Sequence, residues 1–146
     1  MLKENLTQDL IQLKVPAADW EAAVRVGGGL LLQAGKCEPD YIEAMVRTIH
    51  EMGPYMVLAP GLALAHARPQ DGVREVGLSL ITLAEPVEFG SSANDPVSVV
   101  ISFCATDNKS HVGLLQALAI FLSEDDNQAL LKTATSIDQI LDALDD

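Results

Sequence analysis

The most constraining stretch of this 146-residue chain is PVSVVISFCA, residues 96–105. It is apolar at nearly every position. A strand with one face in water alternates apolar and polar residues, whereas a strand apolar on both faces needs a covering layer on each side. Helical patterns supply the covers. Trp20, Val24, Gly27 or Gly28, and Leu31 fall at helical spacing over 19–34, with Asp19 as the cap. Pro39 opens a second helix that ends at Gly53, with Tyr41 or Ile42, Met45, Ile49 and Met52 on its apolar face. Residues 111–123 carry a stripe of Leu114, Leu115, Leu118 and Leu122, and 125–133 and 136–144 read as two further helices. Residues 9–15 and 75–83 read as strands. Residues 55–72 read as two short extended pieces about the Pro60-Gly61 turn, with His66 at the end of the second. Together these predict one α/β domain over residues 1–146: a three-layer α/β/α sandwich, with a mixed sheet flanked by helices.

Charge narrows the function. Nine Lys and Arg stand against twenty-one Asp and Glu, a net charge of −12, and the cations are scattered. No cluster neutralises several phosphates, so nucleic acid is a poor partner. An acidic chain suits basic protein partners, and the same charge keeps it in solution. No apolar run approaches the roughly 20 residues of a membrane span. The mixed-charge start, MLKENLTQDLIQ, is not a secretory signal, so the cytoplasm is the expected location. Two cysteines make no disulfide framework; Cys104 reads as core and Cys37 as a loop residue. A phosphate loop is excluded, because five residues rather than four lie between Gly29 and Gly35 and Cys37 replaces Ser or Thr. The Gly27-Gly28-Gly29 run costs a helix about 1 kcal/mol per residue relative to Ala, and reads as close packing on a neighbour.

Three histidines remain. His50 falls in the last turn of the second helix, where a cation is favoured, and reads as structural. His66 ends the apolar run GLALAHARP beside a turn, a place where a strand fixes the backbone and the side chain faces a cleft. His111 follows the buried strand and opens a helix, with Ser110 or Asn108 as the expected cap. A helix start offers free N–H groups to a phosphoryl group. Two histidines at the ends of core strands can share one cleft. Zinc binding there needs a third ligand to which no spacing points, so a metal-binding domain is a third reading and no metal is expected. No nucleophile elbow, Walker motif or HExxH occurs.

The stretch GPYMVLAPGLALAHARPQDGV (53–73) resembles the active-site segment of the IIA component of the phosphoenolpyruvate-dependent sugar phosphotransferase system. The resemblance is to the mannitol/fructose class, and closest to its ascorbate-specific branch. It continues through DPVSVVISFCATDNKSH (95–111). It implies that His66 takes a phosphoryl group from the carrier protein HPr and passes it to a cysteine of a IIB component. A membrane IIC component would then select ascorbate or a related sugar. It also implies that His111 stabilises the phosphoryl group, and that no ATP, metal or organic cofactor takes part. Arg68, two residues from His66, reads either as a cation for phosphoryl oxygens or as a solvated loop residue. Two departures stand out. Ala65 replaces the proline usual before the phosphorylated histidine. The arginine that the mannitol and fructose branches place in the second helix has its nearest counterpart in Arg47, one residue out of register, so its role is not carried over. A second class of function is a regulatory phosphorylation module that controls a partner without feeding a transporter.

Overall fold

The computed structural model describes residues 2–144; Met1, Asp145 and Asp146, the ends of the expected domain, lie outside the described residues. Five strands form one sheet: β1 (Ile11–Val15), β2 (Val57–Ala59), β3 (Leu62–Ala65), β4 (Gly77–Val87) and β5 (Val97–Cys104). Their order is β1-β4-β5-β3-β2, so the most apolar strand takes the central place. Strand β5 runs antiparallel to β4 and parallel to β3, and β1 lies parallel to β4, which makes the sheet mixed as expected. Among the described residues six α-helices accompany it: α1 (Leu2–Asn5), α2 (Trp20–Gln33), α3 (Pro39–Met52), α4 (Asn108–Leu122), α5 (Asp125–Thr133) and α6 (Ile137–Ala143).

The register of β4 and β5 decides which helix covers which face. Ser79 and Ser102 are cross-strand partners, and both meet Gly27 of α2. The Ser79 hydroxyl donates to the Gly27 carbonyl at 2.8 Å. Phe103, next along β5, points to the opposite face and there meets His111 of α4. Helix α3 packs outside α2, where a Cβ on Gly28 would stand 2.9 Å from Ile42 and 3.0 Å from Met45. Two of the three glycines therefore mark close packing. The third, Gly29, faces open space.

Three local expectations change. Strand β4 continues to Val87, four residues past the expected end, as an antiparallel partner of Val97. Helix α4 begins at Asn108 because Asp107, rather than Ser110 or Asn108, is its cap; the Asp107 carboxylate accepts from the Ser110 amide at 2.7 Å. Cys37 is not an open loop residue. It is buried and bridges to Val73, and burial pushes its thiol up to about 11. Cys104 lies in the core as expected, and burial pushes its thiol up to about 12.

A candidate two-histidine cleft

His66 is the first residue past β3, whose last ladder pair joins Ala65 to Ser102. His111 is the fourth residue of α4, just after β5. Because β3 and β5 are parallel neighbours, both chain ends emerge at the same edge of the sheet. The two imidazole rings lie edge to face with centroids 5.4 Å apart. Phe103 lies against both, stacked on His66 at 4.9 Å and tilted to His111 at 5.0 Å. His50 lies elsewhere, edge-on to Trp20 and 3.5 Å from the Glu21 carboxylate.

Both histidines line a cleft of about 490 Å³, together with Arg47, Glu51, Arg68 and Asn108. Each ring buries its Nδ1 without a hydrogen-bond partner, so Nε2 is the nitrogen left to face the cleft. Burial holds His66 below the usual histidine range; His111 beside it pushes the same way, and the Leu64 carbonyl pulls weakly back. Leu64 favours a proton on the ring, although no hydrogen bond of ordinary geometry is made. His111 is lowered by burial alone. The helix start contributes less than its position suggests, since Asp107 already engages the Ser110 and His111 amides.

The arginines differ. Arg68 stands on the rim with a side chain 71 % exposed, and Asp71 holds it through two contacts of 3.2 Å. Arg47, which the register of the resemblance left out, lines the same cleft. Arg47 makes no hydrogen bond or ion pair among the described residues. It sits four residues before Glu51 on one face of α3, a spacing readable in the sequence. Phe103 was equally missed. Its apolar run announces a core residue, and only the β3–β5 pairing places it under His66. Among the described residues no group of three or more metal-ligating side chains occurs, and no helix is long and apolar enough to cross a membrane.

A mixed five-stranded sheet thus carries two histidines facing one cleft, and comparison with known proteins supplies the class of protein to which this fold belongs. The chain belongs to the family described as "Phosphoenolpyruvate-dependent sugar phosphotransferase system, EIIA 2", whose model matches residues 4–146. Within that family it is 37 % identical to the ascorbate-specific PTS system EIIA component of Escherichia coli K12, over 99 % of this chain and 95 % of that protein. The mannitol-specific cryptic phosphotransferase enzyme IIA of Escherichia coli superposes with a TM-score of 0.89 at 34 % identity, covering 98 % of this chain and 97 % of that one. The Escherichia coli mannitol IIA enzyme, solved in complex with its phosphorylated IIB enzyme, superposes with a TM-score of 0.84 at 27 % identity, covering 94 % and 95 %.

Proposed function

We propose that this chain is the phosphocarrier of a transport system for ascorbate or a related sugar, working in the cytoplasm between HPr and a IIB component. The observation that carries the reading is the pair of rings 5.4 Å apart in one cleft, each with Nδ1 buried and Nε2 toward the opening. In the first step the Nε2 lone pair of His66 attacks the phosphorus of the HPr phosphohistidine. A new N–P bond forms as the donor's N–P bond breaks. In the second, a IIB thiolate attacks the same phosphorus and the His66 N–P bond breaks. The imidazole suits both steps, since it is nucleophilic when neutral, and its low pKa keeps it neutral at pH 7. The covalent work left to the protein is small, and positioning and charge account for the rest. His111 would donate an N–H to a phosphoryl oxygen. Arg47 supplies a cation that no hydrogen bond or ion pair ties down, though the Glu43 and Asp71 carboxylates feel its charge, and Arg68 one that must first loosen from Asp71.

Incubation with phosphoenolpyruvate, enzyme I and HPr should add one phosphoryl group, labile to acid and stable to base. His66→Ala should remain unlabelled; equal labelling of that variant would refute the assignment. Addition of purified IIB should then discharge the label, which a module that only regulates a partner would retain.

A further inference from the structure

The cleft's geometry depends on a group outside it. Tyr41 of α3 is fully buried, and its hydroxyl lies between the two segments that carry the site. It accepts the Ala67 amide proton at 2.9 Å and donates to the Phe103 carbonyl at 2.7 Å. The Ala67 carbonyl, at 3.3 Å, is the more distant acceptor for the same proton. The β3–β5 ladder has already ended at Ala65 and Ser102. The next residues on the two strands are His66 and Phe103, the stacked pair. We infer that the Tyr41 hydroxyl is a positioning group for phosphoryl transfer, bridging the two strand ends where the ladder stops and so seating His66 on Phe103.

Water is a poor substitute for that hydroxyl. Ala67 and Phe103 are both buried, so an amide and a carbonyl would otherwise go unpaired. Burial also keeps the phenol well above its usual range, so it remains a donor at any working pH. Core filling by the aromatic ring does not need the oxygen, which separates the positioning role from a packing role. The inference rests on His66 being the acceptor.

Tyr41→Phe keeps the ring and deletes the hydroxyl. The variant should retain a native circular dichroism spectrum yet transfer from His66 to IIB about tenfold more slowly, within the range that an ångström of misplacement produces. The His66 ring, followed by NMR, should titrate closer to the ordinary value of about 6.5 as it leaves Phe103. The charged or titratable groups around it, His111 from α4, Arg47 and Glu51 from α3, and Arg68 and Asp71 from the loop, are the same in both proteins. Unchanged transfer and titration would overturn the inference, whether or not the melting temperature fell. Should the variant not fold, the wild-type Ala67 amide decides. It should exchange as slowly as Leu64 although it lies outside β3, and fast exchange there is fatal to the idea. An unlabelled wild-type protein would overturn this inference and the phosphocarrier reading together. A labelled wild type with an indifferent Tyr41→Phe overturns this one alone.

Discussion

His66 and His111 share Phe103 as a neighbour, and on the phosphocarrier reading their different surroundings suit them to different work. His66 ends a strand and has its lone pair toward the opening, whereas His111 rides on a helix whose first amides are already engaged by Asp107. Replacing His111 by Ala should leave His66 able to accept a phosphoryl group while slowing its onward transfer. Single oxyanion donors elsewhere are worth about 10²–10³ in rate, and this cleft is open to two partner proteins, so about tenfold is expected. Wild-type onward transfer in His111→Ala, timed by rapid quench, would reduce the residue to a packing role. Because the His66 pKa is lowered, acceptance from preformed phospho-HPr should stay flat as pH falls to about 6.5 and decline only below it. The same shift affects stability. Two histidines with folded pKa values below the unfolded one contribute stability that is fully present above about 6.5 and is lost as pH falls toward the folded values. Denaturant midpoints that rise between pH 6.5 and 5.5 would contradict this sign. Among the cations, Arg47→Gln should slow transfer more than Arg68→Gln, since Arg68 is already committed to Asp71. The reverse order in a side-by-side assay would assign phosphoryl contact to the rim arginine.

Helix α2 shows how one element carries opposite demands on adjacent residues. A methyl group on Gly28 would press on Ile42, a β-branched side chain with little freedom to move, while one on Gly29 would meet nothing. Both substitutions gain about 1 kcal/mol of helix propensity. Overpacking costs about 1–3 kcal/mol and offsets that gain only at Gly28. Gly29→Ala should therefore raise the melting temperature by about 3 °C and Gly28→Ala should lower or leave it. Calorimetry giving the same sign for both would show that α2 and α3 are less tightly packed than they look. The sequence identifies elements like this one well, because period and caps are local: Asp19 accepts from Ala22, and Pro39 and Gly53 bound α3. It also singles out His66 and His111, which share one cleft, since each sits at a visible change from strand to loop or helix. Arg47, Phe103 and Tyr41 escape because their roles depend on which strands pair and which face α3 presents. Those are relations between distant windows. The α4 cap was misplaced for a smaller reason: Asp107, Asn108 and Ser110 are all good caps, and the end of β5 selects among them.

At the scale of the whole molecule, a charge of −12 acts against compactness. The surface ion pairs, such as Arg25 with Glu43 and Lys36 with Glu75, lie in solvent, where such pairs contribute little. Adding salt at pH 7 contracts the Debye length from about 30 Å at 0.01 M to about 3 Å at 1 M, and should raise the melting temperature. A steady fall with sodium chloride would mean that the ion pairs outweigh the net charge. The strand order has a different consequence, one that concerns the time at which the protein is made. In the ribosome's order of synthesis, β3 and His66 appear well before β5, and β4 lies between them in the chain yet not beside β3 in the sheet. The β2–β3 hairpin must wait for its inner neighbour, with one edge unpaired. A nascent chain that has released residues up to 90 thus carries a histidine with no Phe103 beneath it and no second ring beside it. On the phosphocarrier reading, the whole cleft, with His111 and Asn108 in place beside His66, is assembled only once α4 has emerged.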